Sequence, residues 1–185
     1  MIIRPAIVLA WLAIAACAVR PPPDTASVPP GAFGPFDNDV PAANQASWAF
    51  AIPARTLNSP VDAARASAAV DYLAGELSSN PRWVTLSPLT KMKMLEARAD
   101  VRRVLGIRPD APSQLVTNGL LQFAWLWQYD GTPAAMQVLA TPIFTLPPEQ
   151  TLQVLSNMPY IQSANIATLD AANQMLPGGD VSAQR

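Results

Sequence analysis

Histidine is absent from this chain, and cysteine occurs once. The first absence removes the commonest general base and the commonest metal ligand. The second rules out an intramolecular disulfide. Together they exclude Ser-His-Asp and Cys-His hydrolases, and zinc sites built from histidine and cysteine. Charge is scarce too. Only 14% of the 185 residues are charged, and 12 basic against 13 acidic side chains leave a net charge of −1. Nucleic-acid binding normally draws on a dense basic surface, which this balance does not supply. Phosphate-binding glycine loops and nucleotide fingerprints are also missing. No cofactor, metal or nucleic-acid partner is therefore expected. Apolar side chains and proline are plentiful, at half the residues and 20 residues respectively. That is enough apolar material for a packed core.

The chain opens Met-Ile-Ile-Arg-Pro and continues with an apolar run, residues 6–16, that ends in small residues before Cys17. A positive start, a short apolar stretch and small residues at its end match a secretory signal. The run is shorter than the ~20 residues of a membrane span. The residues Ile14-Ala15-Ala16-Cys17 resemble the lipobox of bacterial lipoproteins. That resemblance implies a diacylglycerol on the Cys17 thiol and cleavage after Ala16. Each buried methylene contributes about 0.8 kcal/mol, so two or three acyl chains hold a protein at a bilayer without a helix. Ala18, in the place where aspartate favours retention at the inner membrane, implies the outer membrane. The resemblance covers the export segment alone.

Nine prolines lie between residues 18 and 60. Proline fixes φ and lacks an N–H, so no regular helix is expected through this stretch. Residues 18–30 read as a polyproline-type spacer of thirteen residues, reaching on the order of 40 Å. Residues 31–53 add Phe33, Phe36, Trp48, Phe50 and Ile52. These aromatics predict an extended strap pinned to a core, chiefly by Trp48 and Phe50. An exposed aromatic docking motif is the alternative.

Beyond residue 58 a polar residue followed closely by proline repeatedly precedes a helical pattern. Proline suits the first helical position, and Ser, Thr or Asp before it can cap a free amide. Six helices are predicted: 60–79, 88–105, 111–129, 132–141, 148–157 and 160–176. The third carries no charge inside and is apolar nearly all round, which marks it as the central helix. The only strand candidate is residues 83–86, too short to form a sheet alone. The fold class is thus all-α: a compact bundle of about five to six helices behind a proline-rich tether. The expected organisation is a signal peptide at 1–16, a lipidated tether and strap at 17–47, a helical domain at 48–177 and a disordered tail at 178–185.

Three candidate sites follow. Residues 82–108 hold seven basic and two acidic side chains. Lys91, Arg98 and Arg102 share one narrow helical strip without an acid. With Arg82 they could meet an anionic partner; a solvated face, or pairing with acids of the first helix such as Asp71 and Glu76, is the structural alternative. The opposite strip, Lys93, Glu96, Asp100 and Arg103, is mixed and self-compensating. Phe123, Trp125 and Trp127 could line an apolar pocket, or simply fill the core. Glu76 and Asp71 are the least poor carboxylate pair for glycan cleavage. A catalytic reading of Glu76 requires it to sit in a cleft with a raised pKa. Ser87 and Lys91 are four apart, one too many for a Ser-x-x-Lys motif. The expected role is a non-catalytic envelope lipoprotein that faces the periplasm and binds a protein or cell-wall partner. A carrier of a small apolar ligand and a peptidoglycan-active enzyme are the alternatives.

Overall fold

A computed structural model describes residues 23–176. The export segment, Cys17 and the expected tail at 178–185 lie outside the described residues. Within them the protein is all-α, with seven helices: α1 (Asp39–Ala51), α2 (Pro60–Ser79), α3 (Pro88–Leu105), α4 (Ser113–Tyr129), α5 (Thr132–Leu139), α6 (Pro148–Ser156) and α7 (Gln162–Met175). Extended pairing among the described residues is limited to one isolated bridge between Ile107 and Phe144. The strand candidate at 83–86 is instead the end of a short 3-10 segment and a turn.

Proline places the helix starts as the sequence predicts for α2, α3 and α6, where it occupies the first turn. The expected side-chain caps do not form. Ser59 Oγ donates to Asp62 Oδ2 at 2.6 Å instead, and Ser87 makes no capping bond. The stop of α3 does follow its glycine. Gly106 takes φ 65°, and the Ile107 amide reaches back to the Arg102 carbonyl at 2.7 Å. This 6→1 bond satisfies a carbonyl that the helix end leaves free.

The largest correction is α1. Its thirteen residues lie in the stretch expected to be extended, and the boundary expected at 47/48 falls inside it. Pro41 sits in the first turn, where the N–H it lacks has no partner in any case. Residues 42–52 then contain no proline. Ala42, Ala43, Ala46 and Ala49 form the buried face, with Phe50. Phe50 thus pins the segment as expected, but from a helix. Trp48 is 46% exposed under the Arg55 guanidinium, and Phe36 is fully exposed. Phe33 stacks on Tyr72 with ring centroids 5.8 Å apart.

The centre is also not where the sequence places it. α2, with fourteen of its twenty residues buried, packs against α1, α3, α4 and α6. Its alanines and Gly75 let neighbours approach from several sides. Leu73 and Leu77 are fully buried there, each stabilising by about 1.5–3 kcal/mol. The uncharged α4 lies to one side. It buries Val116, Leu120 and Phe123 and exposes Leu115, Trp125 and Tyr129. α7 closes the bundle against α1 and α3.

Candidate functional site

The cationic strip resolves into the domain's most buried ion pair. Arg102, 4% exposed, grips Asp71 of α2 with Nε and Nη2, both at 2.7 Å. Its remaining donors reach the carbonyls of Pro109 and Ala111 and the hydroxyl of Ser113. Burial opposes the charge on Arg102, but the Asp71 bonds and the nearby Asp24 carboxylate outweigh it and raise its pKa. Arg102 is therefore not available to an outside anion.

Asp24 joins this cage from the proline-rich segment. Its Oδ1 accepts from the Ser113 amide and its Oδ2 from the Ser113 hydroxyl, both at 2.8 Å. Arg98 donates to the Asp24 carbonyl at 3.2 Å and to its carboxylate at 3.4 Å. Burial works against ionisation of Asp24, but the Ser113 bonds, Arg98 and Arg102 override it and lower its pKa. Ser27 exchanges two hydrogen bonds with the Gln114 side chain, and Ala26 is buried. Gly75 makes room for the strap, since a Cβ there would lie 2.6 Å from the Asp24 carbonyl oxygen and 2.8 Å from the Thr25 Cα. Residues 24–28 are thus a strap on the domain, not part of a 40 Å spacer. Seven residue-to-residue steps lead from Cys17 to Asp24, a reach of at most about 25 Å in any conformation.

Arg82 is likewise engaged. It pairs with Asp37 at 2.6 Å and Asp39 at 3.1 Å, and its guanidinium lies 4.6 Å from the Trp83 ring centroid. The buried Asp39 also accepts from the Tyr72 hydroxyl and from Trp83 Nε1. Burial, followed by this bond to Asp39, pushes the Tyr72 phenol pKa up. Lys91 alone of the four candidate cations forms no ion pair among the described residues. On the opposite strip Asp100 pairs with Arg103 as expected, but Lys93 reaches across to Asp170 on α7 at 2.6 Å.

Glu76 lines a concavity of about 550 Å³ beside residues 25–28, Tyr72 and Asn80. Burial raises its pKa, and the Asn80 amide, which donates to it, counteracts this in part. The second carboxylate is not in place, because Asp71 is held by Arg102 on the buried side of α2. Asp39, whose charge also acts on Glu76, is the nearby carboxylate instead, and it is engaged by Tyr72, Trp83 and Arg82.

The expected apolar pocket does not form at its predicted residues. Phe123 is fully buried and tilts against Trp127 at 5.6 Å, while Trp125 points outward, 58% exposed. At helical spacing Trp125 lies away from the face that Phe123 and Trp127 share. An apolar groove of about 730 Å³ lies instead between α4 and α5. Leu115, Gly119, Gln122 and Leu126 form its α4 wall, and Val138 with Ile143 faces them. At Gly119 a Cβ would come within 3.3 Å of Ile143 Cδ1. A lone glycine inside an apolar helix was the available sequence signal, since such a residue usually has a packing or functional reason. None of Lys91, Arg98 and Arg102 borders this groove.

Among the described residues no helix is long and apolar enough to cross a membrane, and no cluster of three metal-ligating side chains occurs. No protein-family model, curated protein or solved structure matches the chain.

Proposed function

We propose that this protein is a lipid-anchored component of the bacterial envelope whose helical domain is a non-catalytic docking module facing the periplasm. The Ile14-Ala15-Ala16-Cys17 motif directly after the apolar run supports the anchor. Ala18 favours the outer membrane. The α4–α5 groove carries the docking reading. It is a concave, largely apolar surface, whereas Arg82, Arg98, Arg102 and Asp71 are spent on internal bonds. From Leu115 to Leu126 its α4 wall runs about 16 Å. That length accommodates three turns of an amphipathic helix, whose anchors at i, i+4 and i+7 would enter the groove. The proposed occupant is such a helix from another envelope protein.

Two experiments test the halves separately. Intact mass of the protein from its native host should show the leader removed and acyl chains on Cys17; an unmodified chain would remove the anchor. A photo-crosslinker at position 115 in cells should trap one partner protein, and Gly119→Leu should abolish the adduct. Absence of any protein adduct in correctly localised protein would remove the docking reading. A small-ligand carrier is the second reading, because the groove volume falls within the ~300–1,000 Å³ of ligand pockets. Native mass spectrometry of the purified domain should then show a bound small molecule in place of a protein adduct.

A further inference from the structure

We infer that the outward face of α3 rests on the bilayer interface to which the chain is anchored. This inference rests on the lipid-anchor reading and adds an orientation to it. Leu89, Met92 and Leu95 are 58%, 65% and 39% exposed, and Val84 just before the helix is 74% exposed. Spaced by three, the helical residues drift slowly round one side of α3, opposite the buried Met94, Ala97, Val101 and Leu105. Lys91, which forms no ion pair among the described residues, borders the stripe on one side; on the other lie Lys93, paired with Asp170, and Glu96, with Asp100 and Arg103 paired to each other further along. An exposed apolar stripe flanked by a long cationic side chain such as Lys91 suits the interfacial plane, with the stripe sunk below and the ammonium group at headgroup level.

The strap fixes which surface can meet the membrane. The chain running to Cys17 enters the fold at Asp24, and Asp24 is held by Arg98, three residues beyond Leu95 on α3 itself. The seven residue steps back to Cys17 span at most about 25 Å. That is less than the length of α3, about 27 Å for its 18 residues. The anchor therefore holds this helix within one helix length of the headgroups. The α4–α5 groove also lies near the strap, but it is concave and cannot lie flat on a bilayer. The α3 stripe projects exposed Leu89 and Met92 to solvent, and contact there leaves the groove open to a protein partner.

The single cysteine makes a direct test practical. The chain from Cys17 to Arg185, the mature form under this reading, is coupled through its thiol to maleimide-headgroup lipid. The vesicles are phosphatidylethanolamine and phosphatidylglycerol. Methionine oxidation by dilute peroxide is then read by peptide mass spectrometry, since an exposed thioether converts to the sulfoxide. Met92 should oxidise several-fold more slowly on vesicles than free in solution, while the half-buried Met136 on α5 keeps its rate. Leu95→Asp should restore oxidation of Met92 on vesicles without moving the urea midpoint. Equal Met92 rates in both states, protection of Met136 instead, or protection that survives Leu95→Asp would each overturn the assignment. The coupling does not depend on cellular lipidation. An unmodified Cys17 in the host would defeat the anchor reading and leave this vesicle result standing.

Discussion

Replacing Arg102 by methionine should strongly destabilise the domain. The substitution keeps a long apolar stem and deletes the guanidinium. It strands the Asp71 carboxylate, whose side chain is 3% exposed. Removing one partner of a buried pair costs about 3–5 kcal/mol. The carbonyl of the buried Ala111 loses its 2.8 Å donor as well, for about 1 kcal/mol more. The exposed Pro109 carbonyl can turn to water and adds little. A loss of about 4–6 kcal/mol is about half of the stability at the middle of the 5–15 kcal/mol range typical of a domain. Asp71→Asn should cost less, about 1.5–3 kcal/mol, the worth of hydrogen bonds to a charged group. Arg102 then still has Ala111, Ser113 and, at 3.6 Å, Asp24. The double change Asp71→Leu with Arg102→Met leaves no charge stranded and should be more stable than Arg102→Met alone. Equilibrium urea unfolding followed by far-ultraviolet circular dichroism reads all three. With a slope of about 2 kcal/mol per molar, Arg102→Met should shift the midpoint by about 2–3 M. A shift below about 0.5 M, or a double variant no better than the single, would show that the pair does not hold α2 to α3 as described.

Gly75→Ala should destabilise, although alanine in a helix interior normally gains about 1 kcal/mol over glycine. The new Cβ meets backbone of the strap at 2.6 and 2.8 Å, and overpacking of this kind costs about 1–3 kcal/mol. Limited proteolysis should show residues 24–28 cut faster than in the parent, and unchanged protection would refute the contact. Glu76→Gln should alter the pH profile. Glu76 has a raised folded-state pKa, so stability falls as pH rises from the ordinary value of 4.5 through the folded value. The variant should be flat across that window when unfolding is measured at a series of pH values. Asp24 and Asp37 shift the opposite way. Their contribution is complete above the ordinary value of 3.8 and is lost as pH falls through their lowered folded values. That acid loss should persist in the Glu76→Gln variant.

How much of this was legible in the sequence depended on proline. Ser59-Pro60 with Asn80-Pro81, and Ser87-Pro88 with Gly106, mark the ends of α2 and α3, because proline acts locally on the residue beside it. The same rule misreads α1. Counting prolines across residues 18–60 hides the proline-free run after Pro41, and a proline in the first turn breaks nothing. Burial was harder to read, since it is a tertiary property. A charge-free helix such as α4 looks central, yet small side chains in α2 are what allow neighbours on several faces. Asp71, amid Val70, Tyr72, Leu73 and Ala74, was the usable signal, because an acid in so apolar a setting is rarely buried without a partner. The α4–α5 groove had Gly119 as its one cue. Asp24 had none: its partners, Arg98 to Ser113, lie 74 to 89 positions away.

The clasp at Asp24 also decides where force enters the molecule. Under the proposed anchoring and docking, tension between the lipid end and a partner would be delivered at Asp24 before it reached any helix terminus. From there it passes through Ser113 and Arg98 into the Arg102–Asp71 pair, so a pull loads α2, α3 and α4 together. Those helices share the strain as a unit, and a domain tugged in this way resists peeling one helix at a time.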